Sequence, residues 1–167
     1  MGGRQAPSFD LPQINKEPRF RVQVLSNSMV EQDAIELVLE KPDHFDFIPG
    51  QYVWLVLPER SKQVGFTDRR AYSIYSSPQT STLQFFLRLT KSDYLKAVAM
   101  LKSGDEVEII GPMGSTFTPI SEGAIMFSGG TGVAPFISIL RSDVSAKFSL
   151  AAYHAPERGA PCFRELA

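Results

Sequence analysis

The sequence predicts a β-rich barrel followed by a small α/β unit. Two observations carry this. Six short strand-like runs, bounded by turn signals and interrupted by one helical stretch, occupy residues 20–110, as in an antiparallel barrel. Near Gly123 the pattern changes to a continuous apolar run, a glycine-rich turn, a helix and a further strand, which is the order of a parallel βαβ unit.

Each element has its own signal. Residues 1–18 are polar and carry Gly2, Gly3, Pro7, Pro12 and Pro18, so they read as a flexible arm. Phe20, Val22 and Val24 alternate with Arg21 and Gln23, the two-residue period of a half-buried strand. Residues 34–39 form a second strand, and residues 51–57 a third, launched by the Pro49-Gly50 turn. Residues 70–75 form a fourth, ended by Ser76-Ser77-Pro78, and residues 82–89 a fifth. Residues 92–102 are helical, because Leu95, Val98 and Leu101 recur at helical spacing and Ser92 can cap the start. Residues 106–110 are a sixth strand, ended by Gly111-Pro112. Then come an apolar strand at 124–128, a helix at 134–141 with Pro135 in its first turn, and a strand at 147–153. The boundary falls at 119–123. It divides an arm (1–18), a barrel (19–119) and a partial α/β domain (123–167).

Composition limits the function. Of the 167 residues, 43% are apolar and 21% charged, with a formal charge of −1. Such a chain buries a core but offers no electrostatic case for nucleic acid or an anionic membrane. No apolar run reaches transmembrane length, and the N-terminus lacks the pattern of a signal peptide. The expected compartment is the cytoplasm. Cys162 is the only cysteine, which excludes an internal disulfide and a cysteine-ligated iron–sulfur cluster within this chain. His44 and His154 stand alone and suggest no metal site.

The most informative segment is Arg69-Arg70-Ala71-Tyr72-Ser73. Side chains alternate on a strand, so Arg70 and Tyr72 share a face and Ser73 lies on the other. A cation, an aromatic face and a hydroxyl are what a flavin dinucleotide requires: a guanidinium for its phosphates, a surface for its ring and a donor for a ring nitrogen. A solvated strand edge would have the same composition. Two further motifs follow in order, Gly111-Pro112-Met113-Gly114-Ser115-Thr116-Phe117 and Gly129-Gly130-Thr131-Gly132-Val133-Ala134-Pro135. In this order the three resemble the ferredoxin–NADP reductase superfamily, and the resemblance runs from about Phe20 to the last residue.

The resemblance implies a six-stranded antiparallel Greek-key flavin-binding barrel followed by an incomplete Rossmann-like βαβ unit. It implies FAD as cofactor, with FMN in some members, and NAD(P)H as substrate. Arg70 would bind the flavin phosphate and Tyr72 would pack on the isoalloxazine or ribityl part. Ser73 would hydrogen-bond near flavin N5, which makes it the catalytic candidate. Ser92 would meet the pyrophosphate at a helix start, with Leu89 and Thr90 beside it, a placement that favours FAD. Gly129, Gly130, Thr131, Gly132 and Pro135 would bind the pyridine-nucleotide phosphate, although the motif is neither a Walker loop nor G-x-G-x-x-G. Pro49-Gly50-Gln51 and Gly111–Gly114 have structural roles as turns. Phe117 packs near the flavin or in the core. Tyr153, Arg158 and Glu165-Leu166 match a later family segment, in which Arg158 would approach the adenosine ribose or stand in solvent.

The implied activity is an FAD-dependent NAD(P)H oxidoreductase that passes electrons to a redox acceptor protein or metal centre. Relatives continue for roughly another 70–100 residues, so the chain is expected to be a truncated form. The alternative is a non-enzymatic flavin-binding electron-transfer or docking module, completed by a partner or by self-association through the incomplete sheet. An empty barrel kept for protein interaction is a third reading.

Overall fold

A computed structural model describes residues 17–57, 69–114, 123–142 and 149–153. Six strands, β1 (Arg19–Glu31), β2 (Ala34–Glu40), β3 (Tyr52–Val56), β4 (Arg69–Ser73), β5 (Thr82–Arg88) and β6 (Glu106–Met113), form one sheet in the order β4-β3-β6-β1-β2-β5. Every neighbouring pair is antiparallel. The long β1 pairs with β6 through residues 19–23 and with β2 from Val24 onward, so one strand serves both halves of the sheet. Past β4 the chain changes partner. The Ile74 N–H still donates to Gln51 O (2.9 Å), but the Tyr75 N–H donates to Gln84 O of β5 (2.9 Å). That exchange brings the two edge strands together and closes the barrel.

The alternation seen in the sequence is the alternation of the wall. Val22 and Val24 are buried while Arg21 and Gln23 are exposed. Leu37, Leu39, Val53, Leu55, Leu83, Phe85 and Ile109 fill the same core. Each fully buried aliphatic or aromatic side chain contributes about 1.5–3 kcal/mol. The helix α1 (Asp93–Ala99) plugs one end, adding Tyr94, Leu95 and Val98 to that core. It is shorter than the expected 92–102. Asn27 of β1 braces this end: its Nδ2 donates to Val98 O (2.9 Å), which also accepts from the Leu101 N–H (3.1 Å), and to Leu101 O (3.0 Å).

Two of the strand ends that differ from the expected bounds have a clear structural cause. β4 pairs with β3 only to Ser73, because residues 74–75 belong to the closure. β6 does not stop at Gly111-Pro112 but runs to Met113. Its register against β3 shifts there: Tyr52 faces Met113 while Trp54 faces Ile110, so two residues of β6 oppose one of β3. Such a bulge lets a proline, which has no N–H, sit inside a sheet.

The second unit is β7 (Ile125–Gly129), a 3-10 turn (Gly130–Val133), α2 (Ala134–Ser142) and β8 (Ser149–Tyr153), with β7 and β8 parallel. The expected β8 residues Lys147 and Phe148 lie outside the described residues. α2 is buried over 134–139 because it has two partners. Phe136 and Ile139 pack on Met126 of β7, and Ala134 and Ile137 pack on Tyr75 and Phe86 of the barrel. The other face of β7 presents Ile125 and Phe127, which are 64% and 75% exposed. The continuous apolar run that suggested a fully buried strand is therefore buried on the α2 side only.

Gly111 has φ +146, and a Cβ there would meet Tyr52 O and Val53 Cγ1 at 3.2 Å. Gly111→Ala is expected to lower stability by about 1–3 kcal/mol, read as a shifted urea midpoint. An unchanged midpoint would show that the bulge relaxes without cost.

Candidate functional site

The site grows out of β4. Arg70 and Tyr72 stand opposite Leu55 and Val53 in the ladder, on the face that turns toward the barrel core. There they meet α1. The Arg70 guanidinium donates from Nη2 to Ser92 Oγ (2.7 Å), and its Cζ lies 5.3 Å from the Tyr94 ring centroid. The Tyr72 ring stacks on Tyr94, with centroids 6.5 Å apart and planes at 23°. Tyr94 is itself 2% exposed and donates its hydroxyl to Leu55 O (2.7 Å). One buried tyrosine thus orients both the guanidinium and the ring above it.

Tyr94 was absent from the sequence reading. Its signal was present: Tyr94, Val98 and Leu101 repeat at four and three residues, a spacing that places Tyr94 on the buried stripe of the helix.

Ser73 follows the strand alternation. It lies opposite Tyr52 in the ladder, across the sheet from Tyr72, and is half-buried. Ser92 occupies the N-cap position of α1 with extended backbone (φ −65, ψ 133) and makes no side-chain cap. The expected capping bond is replaced, since Ser92 Oγ accepts from Arg70 and the Ser92 N–H donates to Thr90 Oγ1 (3.3 Å). Thr90 is exposed, and Leu89 is half-buried against the main core. The structure therefore brings Arg70, Tyr72 and Ser92 together, keeps Leu89 and Thr90 in the same loop, and sets Ser73 on the reverse face.

Gln51 shows why the Pro49-Gly50-Gln51 turn is structural. Its Oε1 accepts from the Ile48 N–H (2.9 Å) and its Nε2 donates to Gly114 O (2.8 Å), while Gly50 holds φ 95.

The glycine motif lies between β7 and α2. Gly129 is extended, Gly130 has φ 54, and a Cβ on Gly130 or Gly132 would meet nothing within 4 Å. These glycines leave open space rather than relieve a close approach. Gly129, Gly130 and Gly132 are exposed, Thr131 is half-buried and Pro135 is buried in the first turn of α2. Beside the turn is an open cleft of about 440 Å³, lined by Phe127, Ser128, Gly129, Ala151 and Ala152. Ser128 Oγ is buried there without a hydrogen-bond partner. Phe117, His154, Arg158, Cys162, Glu165 and Leu166 lie outside the described residues, as does the Tyr153 side chain. Among the described residues, no group of three His, Cys, Asp or Glu could hold a metal, and no helix is long and apolar enough to cross a membrane.

Burial pushes the Tyr72 phenol up to about 12, partly countered by the Arg70 guanidinium nearby. Its hydroxyl has no hydrogen-bond partner of ordinary geometry. The folded chain thus keeps a proton that the unfolded chain has lost, so stability falls as pH rises from 10.0 to about 12. Tyr72→Phe should lack this decline, which is expected to stay below about 2 kcal/mol because the ring is partly solvated. Urea unfolding of both proteins at about pH 9 and about pH 11 measures it. Parallel loss in both would show that the Tyr72 hydroxyl is not the group responsible.

Four similarities to known proteins bear on this arrangement. The chain is 30% identical over 146 residues to methane monooxygenase component C of Methylosinus trichosporium, covering 80% of this chain and 39% of that protein. It is 32% identical over 130 residues to the reductase component of propane 2-monooxygenase of Mycolicibacterium goodii, covering 72% and 35%. It thus spans well under half the length of these curated relatives. Its fold is similar to that of a ferredoxin NADP+ reductase from Neisseria gonorrhoeae solved with bound FAD and NADP, with a TM-score of 0.67 at 23% identity, over 83% of this chain and 59% of that one. Residues 19–110 match the FAD-binding domain family. That match covers the whole six-stranded sheet but for the last residues of β6, and with it the chain belongs to the FAD-binding domain family.

Proposed function

We propose that this chain binds FAD on the barrel and acts in an FAD-dependent NAD(P)H oxidoreductase that delivers electrons to a protein or metal-centre acceptor. The observation that carries the reading is the Arg70–Ser92 bond above Tyr94. It joins a strand guanidinium to the start of a helix, and both are donors suited to a diphosphate. The residues fit the cofactor. Ser92 Oγ takes one bond from a guanidinium that has five N–H donors, and the Tyr72 hydroxyl is buried without a partner.

In this reading Arg70 and Ser92 hold the phosphates, Leu89 and Thr90 flank them, and Tyr72 presents its ring to the isoalloxazine or ribityl part. Ser73 offers a hydroxyl near N5. The Gly129–Gly132 turn, Thr131 and Pro135 at the start of α2 receive the pyridine-nucleotide phosphate. Held by Arg70, Tyr72 and Ser92, a flavin would supply the chemistry of taking up a hydride and passing on single electrons. The protein contributes orientation rather than a proton-transfer group. Residues 19–119 act as the flavin part and 123–167 as the start of the nucleotide part.

The reading is tested by anaerobic absorbance titration of the FAD-reconstituted chain with NADPH and then NADH. Bleaching of the oxidised-flavin band is expected. A retained flavin that neither nucleotide bleaches would leave a binding module without oxidoreductase activity, and failure to retain FAD would overturn both.

Arg70→Ala is expected to weaken FAD binding by about tenfold or more, the effect of losing a charge-assisted phosphate contact. Far-UV circular dichroism should show the barrel intact. Unchanged affinity in the folded variant would remove Arg70 from the phosphate site.

A further inference from the structure

α2 carries an arginine that the proposed function does not use. Arg141, in its last turn, reaches across to the barrel. Its Nη1 donates to Gln84 Oε1 (2.9 Å), its Nη2 to the Tyr75 hydroxyl (3.0 Å), and its Cζ lies 4.0 Å from the Tyr75 ring centroid. One turn earlier the fully buried Ser138 donates its hydroxyl to Ser76 O (2.7 Å). Before these polar contacts in the chain, Val133, Ala134 and Ile137 pack on Ala34, Tyr75 and Phe86.

The placement of these partners matters more than their number. Tyr75 lies two residues beyond Ser73 in the same extended segment as Arg70 and Tyr72, and its N–H is bonded to Gln84, the second acceptor of Arg141. At its other end α2 begins directly at the Gly130–Val133 turn. Arg141 therefore connects the helix bearing the glycine turn to the segment bearing the flavin residues. Its planar guanidinium can lie near the Tyr75 ring and donate to two acceptors at once.

We infer that Arg141 is a positioning residue. It holds α2 against Tyr75 and Gln84, and so fixes the nucleotide-binding turn relative to the flavin segment for hydride transfer. The inference rests on the proposed function, because it assigns those roles to the two segments. Arg141 itself touches neither reactant. Its loss should slow transfer between bound reactants without weakening the binding of FAD.

The test compares the native full-length chain with Arg141→Met, Arg141→Lys and Gln84→Leu, the last removing an acceptor from the barrel side. Amide hydrogen exchange across 129–142 is expected to rise by about tenfold in Arg141→Met and Gln84→Leu, the scale of a lost charge-assisted bond, with β1, β2 and β6 unchanged. In the same variants FAD affinity should stay within about twofold, and the limiting rate of flavin reduction at saturating nucleotide should fall by about tenfold. Lysine keeps the charge and one donor and should recover part of both effects.

Unchanged exchange at 129–142 in Arg141→Met and Gln84→Leu would overturn the inference. So would raised exchange with an unaltered limiting rate. If the native chain shows no flavin reduction, the proposed function falls and takes the positioning role with it. That outcome is distinct, because it is seen before any substitution is made.

Discussion

The structure turns on an exchange of partners over three residues. Ser73 still pairs with β3, Ile74 bonds back to Gln51, and Tyr75 has already joined β5 at Gln84. A sheet of six strands has two edges, and an unpaired edge leaves backbone donors and acceptors open. The exchange closes this sheet. It also decides what surrounds the Arg70–Ser73 segment: β4 faces α1 inside the barrel, and the closure forms the surface on which α2 rests. Local strand pairing, the site and the packing of the second unit share these residues.

Much of this was legible in the sequence. Two-residue alternation gave the faces of β1 over residues 20–24, because a barrel wall has one dry side. The glycine turn between an apolar run and a helix was equally clear. β1 proved longer than its alternation because the polar run Ser26-Asn27-Ser28 hides a strand that the register shift between Val24 and Ser26 carries through. Asn27 reads as a strand breaker, yet its amide is used on α1. The Gly111-Pro112 pair likewise reads as an end, and the strand passes through it because the bulge removes the need for an N–H.

The site was legible in part for a related reason. Arg70, Tyr72 and Ser73 lie within four residues, and strand geometry alone predicts their faces. What lies beneath them could not be read the same way. Tyr94 comes from a separate helix, and its contact with Arg70 and Tyr72 depends on how that helix enters the barrel. Arg141 and Tyr75 are 66 positions apart. Contacts of that separation leave no local period in a chain, so they were found only in the folded molecule.

Gln51 has a consequence of a mechanical kind. Its amide ties the start of β3 to Gly114, just beyond the end of β6. The path toward the second unit therefore leaves the barrel from a braced point, and α2 touches the barrel again at Tyr75 and Ser76. Gly114 is thus a fixed end of the barrel, and α2 is seated on a plate of contacts, Ala34, Tyr75, Ser76, Gln84 and Phe86, rather than on a single pin.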